Sequence, residues 1–237
     1  MSLPEYTVRT SARAKRISVT VRPGRGVEVV LPRCVGRAAA EEAARDVVRR
    51  KRAWIERALR RLGMSGQGDA EELPHTISLN AVGLDFQVGY DASGRGRLRL
   101  TQNQGRRLQF LGRPGEREEY VKLLASWLAD RGREHLPPLL KELAEEAGLT
   151  YGQVRIRRQQ TRWGSCTAKG SISLNCKILF FPAPLARHVL LHELAHTMHL
   201  DHSTRFWALV ARLDPQWHEH DRALRGAGNW VPWWAHR

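Results

Sequence analysis

The chain has 237 residues, 42% of them hydrophobic, and a net charge of +15. That is enough to bury a core, as one large domain or two small ones, and no apolar run approaches the ~20 residues of a membrane-crossing helix. Its three cysteines, Cys34, Cys166 and Cys176, are too few and odd in number for a disulfide framework, so free thiols are expected.

The first quarter is the most basic part, with 16 Lys or Arg against 6 Asp or Glu in residues 1–62, a surplus of ten. Residues 7–31 alternate and turn at Pro23-Gly24, which predicts a hairpin. Residues 38–62, rich in Ala, Arg and Glu, predict one helix. On it Arg45, Arg49, Arg52 and Arg60 share a face and would present a stripe of charge to the phosphates of DNA, although an arginine face of this kind is also commonly just solvated. Trp54, at helical spacing with Val47, Val48, Ile55 and Leu59, is expected in the core rather than stacked on a base.

A Gly/Ser-rich break at 63–68 follows, and residues 77–111 read as short strands with turns at Asp91-Ala92-Ser93-Gly94 and Asn103-Gln104-Gly105. Residues 116–147 are helical, interrupted or kinked at Pro137-Pro138. The domain boundary is expected near Pro114, leaving residues 1–113 as a β-rich basic part with one long helix and 114–237 as a second domain. A further basic group, Arg155, Arg157, Arg158 and Arg162, leads into strands between 154 and 181. Within these, Ile172, Leu174 and Cys176 alternate with Ser173, Asn175 and Lys177, the period of a strand with one polar face, and a hairpin turn at Lys169-Gly170 accounts for that pattern by itself.

Residues 192–202, His-Glu-Leu-Ala-His-Thr-Met-His-Leu-Asp-His, carry the most information. Pro184 suits the first turn of a helix, and the apolar residues after it would be buried. On that helix His192 and His196 stand i, i+4, about 6 Å apart along the axis, so two imidazoles can converge on one metal ion with Glu193 beside it. A catalytic zinc needs a third protein ligand and one open position. Three residues are candidates. His202 ranks first, reached by a chain that turns back after the helix. Glu219 comes next. His199 is last, because a straight helix puts it about 10.5 Å from His192. Residues 204–213 predict a short helix beyond the motif, and the apolar Trp230, Trp233 and Trp234 are expected to dock on the body.

The segment Thr161-Arg162-Trp163-Gly164-Ser165-Cys166 is followed by Ile172-Ser173-Leu174-Asn175, then His-Glu-Leu-Ala-His, then His202-Ser203-Thr204-Arg205-Phe206-Trp207. In that order these motifs resemble the YgjP-like metal-dependent hydrolases, relatives of the WLM and SprT-like zinc proteases, over nearly the whole chain. The resemblance implies one Zn2+ ion held by His192, His196 and His202, with Glu193 as general base. It also suggests that the strand of Ile172, Ser173, Leu174 and Asn175 borders the cleft, where an edge strand would hold an extended peptide by its main chain. The turn after His196 lacks the usual glycine, and no Met-turn methionine follows Met198, which points away from the metzincins proper. His218, His220 and Arg222 are candidates for stabilising an oxyanion, against the plainer reading of 218–221 as a solvated helix face.

The expectation is therefore an α+β protein with a zincin-like carboxy-terminal domain, a zinc metallopeptidase acting on proteins or peptides, nucleic-acid-associated ones among them. The lack of a signal-peptide core in residues 1–5 suggests a cytoplasmic location with no membrane partner. Two alternatives keep the metal. A nucleotide phosphoanhydride hydrolase would use the basic residues to hold phosphates, and a DNA-binding module would carry structural zinc closed by four protein ligands.

Overall fold

The structure, a computed structural model, describes residues 4–12, 14, 16–22, 26–34, 36–61, 72–91 and 94–236. The chain divides into two compact units, one up to Glu72 and one from Leu73 to Ala235. Helices and small mixed sheets make it an α+β protein, as expected.

In the first unit Tyr6–Ser11 (β1), Ser18–Arg22 (β2) and Gly26–Pro32 (β3) form a sheet of order β1-β3-β2. The expected hairpin is the antiparallel pair β2 and β3, and its turn at Pro23-Gly24 lies outside the described residues. β1 adds in parallel to the far side of β3. Alternation along β3 buries Val27, Val29 and Leu31, which pack with Ala44, Val47, Val48 and Ile55. Those four come from two helices, Arg37–Arg50 (α1) and Arg52–Arg61 (α2), where one had been expected. The break at Lys51 falls inside the run Arg49-Arg50-Lys51-Arg52, where crowded like charges weaken a helix. Trp54 is 44% exposed rather than core, with the Lys51 ammonium 5.8 Å from its ring.

The second unit opens with Thr76–Leu79 (β4), Leu84–Asp91 (β5), Arg99–Gln102 (β6) and Arg107–Leu111 (β7), a sheet of order β4-β5-β7-β6. Period-two burial puts Ile77, Leu79, Phe86, Val88, Leu108 and Phe110 on one face. Arg117–Ala147 (α3) covers that face, with Tyr120 against Phe110 and Trp127 edge-on to Phe86. The compact division thus falls at 72/73 and not near Pro114. Residues 77–111 have an apolar face whose partner is α3, so the two belong to one core. α3 runs as one continuous helix through Pro137 and Pro138, where an interruption or a kink was expected.

The third sheet joins Val154–Arg157 (β8), Gly164–Cys166 (β9) and Ile172–Asn175 (β10) in the order β8-β10-β9. β9 and β10 form a hairpin closed near Gly170, as the alternation predicted. Gly132 lets α3 press on this layer, since a Cβ there would come within 2.7 Å of the Cys176 Cβ and 2.9 Å of Ile156. Next come Ala183–Ala195 (α4), Thr204–Leu213 (α5) and Trp217–Leu224 (α6). α4 is apolar nearly all round and lies in the core through Leu185, Leu190 and Leu194. Trp234 docks beneath Phe180 at 1% exposure, whereas Trp230 stays 37% exposed. Among the described residues no helix is long and apolar enough to cross a membrane.

Candidate active site

α4 ends at the second histidine of the motif. His196 is its C-cap residue, and the chain leaves in a tight turn closed by Thr197, whose N–H and hydroxyl both donate to the Leu194 carbonyl. The missing glycine is not needed, because none of these residues has a positive φ. The turn brings His202 back over the helix, with its Nε2 3.2 Å from the Nε2 of His192.

His192, His196 and His202 each offer a ring nitrogen within 4.8 Å of the others. Among the described residues neither His199 nor Glu219 joins this group. His199 contributes its carbonyl instead, which accepts the Nδ1–H of His196 at 2.9 Å and so leaves the Nε2 of His196 as a lone-pair donor. The rings are held by α5: Phe206 stacks on His196 at 4.4 Å and meets His192 and His202 edge-on at 4.9 and 4.8 Å. Trp207 extends the wall at 5.7 Å from His202. The sequence held a signal for Phe206, an aromatic two residues into a predicted helix and four after His202, but its role as a support emerges only in three dimensions.

Burial first, then the neighbouring His196 and His202, hold His192 down to about 3, so its ring is neutral. Burial also lowers His196. Glu193 is 5% exposed, its Oε2 has no hydrogen-bond partner, and burial pushes its carboxyl up to about 7. β9 lies directly on this side chain. A Cβ at Gly164 would collide with the Glu193 carboxylate, so only glycine permits the approach.

This donor set fits a metal ion. Three imidazoles converge with one pair 3.2 Å apart, close to the ~3.4 Å edge of a tetrahedron with ~2.0–2.1 Å bonds. The unpartnered Glu193 oxygen beside them is a buried acceptor with nothing to accept from the protein.

The strand expectation needs correcting. β10 is the central strand, paired with β8 on one side and β9 on the other, and Ile172, Leu174 and Asn175 are buried. Ile172, Ser173, Leu174 and Asn175 therefore have no free strand edge to offer a peptide. The edge beside Glu193 is β9, while Arg155 and Arg157 lie on β8 at the other edge.

Of the arginine stripe, Arg45 and Arg49 lie on α1 and Arg52 on α2. Each is paired within its own helix, to Glu41, Asp46 and Glu56 respectively. The Arg60 side chain lies outside the described part. His218 stacks on Trp217, and His220 belongs to a second group of potential ligands with His188 and Asp214, which sequence reasoning did not assemble.

No curated protein sequence matches the chain. Among solved structures, the metallopeptidase zymogen abylysin of Pyrococcus abyssi is 28% identical over an alignment covering 38% of this chain and 91% of that one, with a TM-score of 0.34. A family profile described as YgjP-like, metallopeptidase domain, matches residues 15–227. With that profile spanning all but the two ends, the chain belongs to the YgjP-like metallopeptidase family.

Proposed function

We propose that the protein is a zinc-dependent peptidase in which His192, His196 and His202 hold the ion and Glu193 is the general base. The observation that carries this reading is the convergence of three imidazoles, two of them with lowered pKa values, beside a buried carboxyl whose Oε2 has no partner. An all-imidazole set suits the borderline-soft zinc ion better than calcium or magnesium.

A cation bound there supplies Lewis acidity, polarising a scissile carbonyl and bringing the pKa of water to ~7. Glu193, a buried carboxyl whose Oε2 has no protein partner, would take a proton from water and return it to the leaving amine. Phe206 and Trp207 keep the imidazoles in place. The outer edge of β9 takes over the role first assigned to β10, since its main chain runs past Glu193 and can pair with an extended peptide.

Peptide substrates are favoured over nucleotides by the metallopeptidase family profile, and Arg155 and Arg157 lie on the opposite sheet edge from Glu193. The internal ion pairs of Arg45, Arg49 and Arg52 likewise give nucleic acid no separate support. The test is cleavage of an unfolded protein by chelated and zinc-restored enzyme, with nucleoside triphosphates assayed in parallel. Zinc should restore proteolysis and Glu193→Gln should abolish it. Wild-type cleavage by that variant, or release of pyrophosphate in place of peptides, would overturn the proposal.

A further inference from the structure

One turn before His192 on α4 stands His188, whose side chain is 0% exposed. Its Nδ1 lies 2.6 Å from Asp214 Oδ2 at the end of α5, and the same oxygen lies 2.7 Å from the Nδ1 of His220 on α6. Three helices thus bring two imidazole nitrogens and a carboxylate oxygen together, all within 4.8 Å of one another.

Two further features set this trio apart from an ordinary hydrogen-bonded brace. Asp214 is 8% exposed, yet among the described residues its ion-pair partners are the two imidazoles alone, with no lysine or arginine to balance its charge. The Nε2 of His188 is also buried with no partner, so one nitrogen of this interior imidazole is left unsatisfied. A divalent cation answers the first deficit directly. It would neutralise a buried carboxylate whose partners among the described residues are two imidazoles and the Gln216 backbone N–H, and ligand bonds of ~2.0–2.2 Å require the three atoms to spread by only several tenths of an ångström.

We propose that His188, Asp214 and His220 form a second site for a first-row divalent cation of the zinc class, separate from the His192, His196 and His202 group. The mixed nitrogen and oxygen donors exclude a preference for calcium or magnesium. His188 and His192 share one face of α4, with ring centroids 6.3 Å apart, so the two sites adjoin. The ion ties α5 and α6 to α4 and so braces the helix that carries Phe206.

The test is metal content per chain. Full-length protein is stripped with chelator, reloaded with Zn2+ or Co2+, freed of loose metal and measured by elemental mass spectrometry. Two equivalents are expected for the wild type, and one for Asp214→Asn, for His220→Ala and for His202→Ala. The Co2+ absorption bands lost in His220→Ala should be those retained in His202→Ala. Because His220 is 18% exposed, its truncation tests the site even if Asp214→Asn fails to fold. One equivalent in the wild type, or two retained in His220→Ala, would overturn the proposal. Failure of the catalytic reading would show separately, as His202→Ala losing no metal.

Discussion

In the proposed mechanism the chemistry concentrates on Glu193, and Gly164 lets a strand lie against it. A Cβ at position 164 would come within 2.6 Å of the Glu193 Cγ and Cδ. Gly164→Ala must displace the carboxyl while leaving the imidazoles alone. Its kcat/KM on an unfolded protein should fall by about 10²-fold with zinc content unchanged. Loss of zinc in step with activity would contradict this role. Burial also sets a pH signature for metal-free protein. The Glu193 carboxyl sits at about 7 against an ordinary 4.5, so the unfolded chain releases this proton first. Ionisation therefore costs the folded state stability from pH 4.5 upward and fully above 7, by roughly 3 kcal/mol. Metal-free Glu193→Gln should accordingly melt higher than metal-free wild type above pH 7, with the gap closing toward pH 4.5. His192, held near 3, weakens both proteins alike as pH falls below 6.5, so the difference isolates Glu193. A gap that is constant across this range would refute the assignment.

Among the elements, α4 was readable from its residues because helix geometry is local: spacing alone put His192 and His196 on one face beside Glu193. The return of His202 was legible as one of three options, and the tight turn at Thr197 favours it geometrically. Pairing partners were not legible. Alternation in β10 states which side is buried but not which strands flank it, and three-residue β9 is too short to show a period at all. The trio of His188, Asp214 and His220 was hidden for a related reason, since its members are joined by the packing of three helices and not by spacing. α5 is the supporting element of the site. Phe206→Ala, at a fully buried position, should cost about 3–5 kcal/mol. Freed imidazoles should also weaken zinc affinity by about 10–100-fold, the usual effect of losing an outer support. Competition with a chromophoric chelator measures this, and unchanged affinity would show that the ring only fills space.

At the scale of the whole molecule, each unit has its own apolar core, and the second contains the β8–β10 sheet and the helices α4 and α5 that build the site. The boundary expected near Pro114 would have cut β4 to β7 away from α3, the helix that covers them. A fragment from Leu73 onward should unfold cooperatively and bind zinc as the full chain does, whereas one from Pro114 onward should not. Calorimetry with metal titration checks both, and a stable Pro114 fragment would contradict the shared core. The central claim is that three imidazoles share one cation beside Glu193 with a position left open. Anomalous diffraction at the zinc edge from a loaded crystal tests it most directly. The account predicts a peak within about 2.1 Å of a ring nitrogen from each of His192, His196 and His202, with no fourth protein ligand. Rings that share no peak, or a fourth side chain closing the site, would contradict it.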